Sequence, residues 1–268
     1  MLVPMDFELS RIAVPFRMQP GLQRLEAGAR QLTPLAAGSR LWREKKQVLD
    51  AGASRLGVPG FDEEPVLRAI RAQAGREGLP AEGPIELAFE EDFAVLDRAT
   101  GTLPWLCVCV PSHWAPEDKL GLPFGSVHAP VADNQALLAA AHQLVQLVTS
   151  GERFERHVWT LTPSGRFDQH PRRHPRTPWP ATADPEAFAR QCFLRAERQT
   201  FFAVDGVQGQ AVFTIRVRLR PLAEAVATRA DARRLHDALA SMSEAVLAYK
   251  NLAPARERLL AWLAERER

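Results

Sequence analysis

Residues 111–131, PSHWAPEDKLGLPFGSVHAPV, gather His113, His128, Trp114 and a single lysine, Lys119, among four prolines. A segment so restricted in conformation usually holds side chains in place. Cys107 and Cys109 just upstream raise the question of zinc. Those cysteines are spaced i, i+2 inside an apolar run, whereas structural zinc sites separate them by roughly two to four residues in a turn. Buried reduced thiols are the plainer reading. Haem asks less of a sequence: one axial ligand, an apolar slot and cationic donors for the propionates. Val127 before His128 and Ala129-Pro130-Val131 after it would hold an imidazole on a stiff backbone beside an apolar interior. Lys119 could cap a propionate or sit in water. On pattern alone, a lone His in a loop is more often a hydrogen-bonded structural residue.

A second informative stretch is LRAERQTFF, 194–202. In a strand, Arg195, Glu197 and Gln199 share one face while Ala196, Arg198 and Thr200 share the other. Both faces would then carry polar groups. Such a strand is either an edge or lines a pocket with a polar or charged ligand. The loop RFDQHPRRHPRTPWP, 166–180, carries four arginines and two histidines with one acid. It could attract phosphate, but a proline-rich basic loop is more often a solvated connector. No zinc-finger spacing, RNA-binding signature or long basic helix accompanies it, which argues against nucleic acid.

These residues need elements to position them. A Ser start, helical spacing of Leu41, Trp42, Val48, Leu49 and Leu56 and a Gly stop predict a helix over 39–57, and 62–75 repeats the logic. IELAFEEDFAVLD (85–97) and LPWLCVCV (103–110) read as strands. DNQALLAAAHQLVQLVTSG, 133–151, reads as one capped helix. ERHVWTL (155–161) is a strand, and AVFTIRVRL (211–219) alternates as a half-buried antiparallel strand, with Arg216 on its polar face. From Pro221 to Glu267 the chain is helical, interrupted near 251–255. The expected architecture is α+β, an antiparallel sheet flanked by helices, in one domain with an N-terminal helical extension over about 1–80 and C-terminal helices over about 221–267.

The 268 residues, 46% hydrophobic and 25% charged with a formal net charge of +2, are ordinary globular values. No run approaches the ~18 apolar residues of a membrane span, and the first residues lack a secretory pattern. The expectation is a cytoplasmic protein with three reduced cysteines. There is no dinucleotide or phosphate-binding glycine loop, no His-Glu-x-x-His and no nucleophile elbow.

EEDFAVL (90–96), CVPSHWAPEDKLG (109–121), VHAPV (127–131), LRAERQTF (194–201), FTIR (213–216) and YKN (249–251) resemble, in order and spacing, the haem-dependent oxidative N-demethylase alpha-subunit-like family. The resemblance implies a PAS-like sheet that binds haem b. It implies O₂-dependent oxidation of a small methylated amine, dimethylamine in the characterised type, to a demethylated amine and formaldehyde. Electrons would come from a separate flavin or iron–sulfur reductase subunit, and an oligomer is compatible with this. On that reading His128 is the iron ligand. Trp114, Lys119, Arg198 and Arg216 belong to the cofactor-binding set, and Glu197, Arg195 and Gln199 orient substrate or a propionate. The runner-up is a haem-binding sensor or carrier without turnover. The family usually has Arg-x-Asn-Trp where this chain has Arg156-His157-Val158-Trp159, and Leu-Pro-basic-Ser where it has VDGVQG (204–209). The lost amide and cation bear on substrate more than on haem.

Overall fold

The computed structural model describes residues 7–267; residues 1–6, part of the stretch read above for a leader, and residue 268 lie outside the described residues. Seven strands form one antiparallel sheet: β1 (Gln23–Arg24), β2 (Arg55–Gly57), β3 (Asp92–Asp97), β4 (Trp105–Cys107), β5 (Phe154–Thr162), β6 (Phe193–Ala203) and β7 (Gln210–Pro221). Their order is β1-β5-β6-β7-β3-β4-β2. The long β6–β7 hairpin is the spine, and β3, the first of the long strands, pairs with β7, the last. Helices α1 (Arg40–Asp50), α2 (Glu64–Arg76) and the single turn α3 (Ile85–Ala88) precede β3. Three short helices, α4 (Phe124–His128), α5 (Gln135–Ala139) and α6 (Ala141–Val148), connect β4 to β5. After α7 (Pro185–Ala189), the chain ends in α8 (Leu222–Ala225), α9 (Arg229–Ala240), α10 (Glu244–Tyr249) and α11 (Arg256–Arg266). This is an α+β fold with a PAS-like antiparallel sheet flanked by helices.

Directly paired residues share a face, so the register sorts the side chains. Phe154, Arg156, Val158, Glu197, Gln199, Phe201, Phe213, Ile215 and Val217 lie on one face. We call it the α4 face, because Phe124 of α4 and Val145 and Val148 of α6 pack against Phe154, Phe201 and Phe213 there. The opposite face carries His157, Trp159, Leu194, Ala196, Arg198, Thr200, Phe202, Thr214 and Arg216. Val66, Ile70 and Ala74, spaced along one side of α2, cover one end of it with Phe93, Trp105 and Phe202. Leu235, Leu239, Leu259, Trp262 and Leu263 of α9 and α11 cover the other end with Trp159, Leu161 and Leu194.

Several elements differ from the sequence expectation. The helix expected over 39–57 is capped by the Ser39 side chain, which accepts from Trp42 N, but stops at Asp50. Gly52 follows at φ 65°, and Arg55–Gly57 pair with β4 as an edge strand. Ile85–Ala88 form a helical turn after Pro84, so the strand begins only at Asp92. The single helix expected over 133–151 is two, broken at Ala140 (φ −92°, ψ 3°). Apart from one turn at Leu9–Arg11 and the two-residue strand β1, residues 7–39 are irregular, with Pro15, Pro20, Pro34 and the positive-φ Gly21, Gly28 and Gly38 along them. Nor is β7 half-exposed: Thr214 is 1% and Arg216 7% exposed.

Candidate functional site

β6 is interior, paired with β7 throughout and with β5 from Phe193 to Phe201, so neither polar row is an edge. Glu197 receives hydrogen bonds on both carboxylate oxygens: the Ser112 hydroxyl donates to one, and Gln199 Nε2 donates to the other at 2.7 Å. Arg195 Nε donates to Ser112 Oγ at 2.7 Å. Its remaining nitrogens donate to the carbonyls of Val110 (2.9 Å), Phe167 (2.9 Å) and Arg166 (3.3 Å). Arg195 therefore clamps the 110–112 and 166–167 segments onto the sheet, and burial pushes its pKa down to about 10.

On the same face of the sheet, α4 delivers His128. Its last residue is His128 rather than a loop position, because Phe124 at the helix start packs on Phe201 and Phe213 and anchors the turn. His128 Nδ1 lies 2.8 Å from the Phe124 carbonyl, and the two rings are 4.2 Å apart. A carbonyl only accepts, so Nδ1 carries the proton and Nε2 presents its lone pair. Burial, helped by the Arg156 and Lys119 charges, lowers the His128 pKa and keeps the ring neutral. Lys119 Nζ donates to the Val127 carbonyl at 3.1 Å, and Asn134 Nδ2 donates to the His128 carbonyl at 3.0 Å, fixing both ends of the turn. Trp114 packs over Phe213 on the same face.

Arg156, on β5, completes the group. Burial pulls its pKa down against the opposing influence of Glu197, and its Nε has no hydrogen-bond partner. Tyr249 and Lys250, at the end of α10, close the outer edge of β5 where β1 no longer pairs with it. Lys250 Nζ donates to the Trp159 carbonyl at 2.8 Å, and burial lowers its pKa to about 8. The site thus brings together His128, Lys119, Trp114, Glu197 and Gln199 of the sequence-derived set. Arg198 and Arg216 lie on the opposite face, where Arg198 Nε donates to Glu155 at 2.9 Å and Arg216 Nε to Glu90 at 2.7 Å. Their odd–even offset from Glu197 sends them through the sheet.

Arg156, Ser112, Tyr249 and Lys250 lie outside the site that the sequence predicts, although each falls within a family motif or a departure from one. Their roles depend on strand register and on where α10 ends, which spacing does not reveal. Cys107 packs with Phe93 in the α2-side core and Cys109 beside Ile215, and burial raises both thiol pKa values. Among the described residues no group of three or more His, Cys, Asp and Glu side chains is arranged to hold a metal ion.

Compared with known protein families, residues 83–260 match the one described as haem-dependent oxidative N-demethylase, alpha subunit-like. The chain belongs to that family. The match takes in β3 to β7, α4, Glu197 and Tyr249, and leaves α1 and α2 outside it. The family description names haem dependence and an alpha subunit, which implies partner subunits. No curated protein matches the chain. Among the described residues no helix is long and apolar enough to cross a membrane.

Family membership gives the two departures a place. VDGVQG forms the β6–β7 turn, with Gly206 and Gly209 at φ 80° and 81°. Val158 is the cross-strand partner of Glu197 on the α4 face, so an apolar side chain stands where the family usually has an amide. His157 faces the other way, with its ring 6.0 Å from Phe7, and does not replace that amide.

Proposed function

We propose that this protein binds haem b on the α4 face through His128 Nε2. In this reading it oxidises a small methylated amine with O₂, using electrons from a separate reductase subunit. The observation that carries it is the His128 Nδ1–H to Phe124 carbonyl bond, the arrangement by which a metal-binding histidine fixes its tautomer and aims the other nitrogen. The donor set fits the group. A neutral imidazole stands on the face of the sheet that carries Phe213 and Trp114, and Arg156, whose Nε is buried without a partner, suits a propionate. Haem, when bound, supplies the redox iron and the site of O₂ activation.

The chain's own part is binding and orientation. Glu197 offers the carboxylate for a protonated amine, held in one rotamer by Ser112 and Gln199. Val158 across from it keeps that side of the space apolar, which suits a methyl group. Tyr249 and Lys250 bound the outer edge of β5. The proposed setting is the cytoplasm.

A second reading, a haem sensor or carrier, draws support from the same carboxylate. Both Glu197 oxygens already hold protein donors, which leaves less acceptor capacity for an ammonium. One experiment separates the two. Protein supplied with haem should show a Soret band that shifts on reduction and CO binding. With an artificial reductase and O₂ it should release formaldehyde repeatedly from methylated amines, and Glu197→Gln should cut kcat/KM at least about tenfold, the scale of a lost charge-assisted hydrogen bond. Reversible CO binding without formaldehyde would establish the sensor or carrier.

A further inference from the structure

Between the 111–113 segment and the basic loop lies a cavity of about 230 Å³, outside the His128 group, lined by His113, Ser164, Arg166, Asp168, Gln169 and His174 among others. Its walls are fixed: Gln169 N donates to the Pro111 carbonyl at 3.1 Å, and Arg195 holds the Arg166 and Phe167 carbonyls. Gln169 is 3% exposed and its Nε2 donates to the Arg166 carbonyl at 3.1 Å. That carbonyl needs a donor, so the amide orientation is determined. Gln169 Oε1 is left buried with no donor to satisfy it. A buried acceptor in that state costs free energy until something supplies a hydrogen.

The charge around it is cationic. Asp168 is the acid in the wall, and its carboxylate is consumed by Arg173 Nε at 2.8 Å, His174 Nε2 at 3.1 Å and the His170 N–H at 3.0 Å. The Arg166 guanidinium has no hydrogen-bond or ion-pair partner among the described residues. His113, held at φ 58°, feels the charges of Arg176 and Arg195 beyond its own burial and stays neutral, its pKa lowered to about 4. An ammonium is disfavoured in such a place and an anion welcomed. A bare anion, however, brings only acceptors and leaves Gln169 Oε1 unsatisfied.

We propose that this cavity is a ligand site for a small oxyanion that carries its own hydroxyl, a hydrogen phosphate or a 2-hydroxycarboxylate, with Arg166 on the charge and Gln169 Oε1 accepting from the hydroxyl. The unpaired acceptor is the specificity element. It penalises an isosteric anion that has no proton to give. The site uses no residue of the His128 group, so it stands or falls independently of haem.

Calorimetric titration of the full chain with two matched pairs, phosphate against sulfate and glycolate against acetate, tests it. The hydroxyl-bearing member of a pair should bind roughly tenfold tighter or more. Whichever of phosphate and glycolate binds identifies the source. Arg166→Gln, at an exposed position, should weaken binding about tenfold. Gln169→Leu should erase the difference within the pair. If Gln169→Leu fails to fold, the wild-type pairs and Arg166→Gln still decide. Equal affinity within both pairs, no saturable binding, or indifference to Arg166→Gln overturns the proposal, whatever the haem content of the sample.

Discussion

His128 Nδ1 sits 2.8 Å from the carbonyl of Phe124, one helical turn earlier in the same short helix. The bond closes within α4, so it orients the imidazole without help from the rest of the chain. His128→Ala should therefore abolish the Soret band while the far-ultraviolet circular dichroism stays native, and added imidazole should restore part of the band. His113→Ala should retain haem in full. Bleaching by His113→Ala alone would move the ligand to the other histidine.

Arg156 pays for its position, because its Nε is buried without a partner and desolvation lowers its pKa. Replacing a buried charge with an apolar side chain of similar length is often neutral or stabilising. Haem-free Arg156→Met should be as stable as the wild type or gain up to about 2 kcal/mol in urea unfolding. The same variant should release haem to apomyoglobin at least about tenfold faster. An unchanged release rate would show that Arg156 has no part in holding the cofactor.

Arg195 makes the opposite case. Arg195→Met would leave the Val110, Arg166 and Phe167 carbonyls without their donor and free Ser112 from its guanidinium partner. The expected loss is about 2–4 kcal/mol in urea unfolding. A loss below about 0.5 kcal/mol would mean that water replaces the clamp.

Glu91 supplies a pH test. It is 1% exposed, and burial pushes its pKa up to about 7 against hydrogen bonds from Thr33 and the influence of Lys45. Between an ordinary carboxylate value near 4.5 and about 7, the folded protein keeps a proton that the unfolded chain has lost. Stability from this group therefore falls as pH rises through that window. Glu91→Gln should match the wild type at pH ~4 and exceed it by about 1–3 kcal/mol at pH ~8. His113 and His157, both held near 4 by burial, act in the opposite direction between about 4 and 6.5. They are common to both proteins and cancel in the difference.

The sequence by itself determined the local elements and the residue types of the site. Period-two alternation placed β7, capping and helical spacing placed α1 and α2, and the six motifs in order carried the family. Spacing also put Arg195, Glu197 and Gln199 on one face and Arg198 on the other, because strand side chains alternate whatever surrounds them. Which face meets His128 was a different matter. That depends on β3 pairing with β7 across more than a hundred residues of chain, and on α4 folding back over Phe201 and Phe213. Only then do Arg198 and Arg216 fall on the far side, Val158 come opposite Glu197, and Arg195 turn from a candidate ligand contact into a clamp. Local patterns report the backbone's own periodicity. Partners are chosen by long-range packing, where burying one apolar face decides which polar groups must find each other.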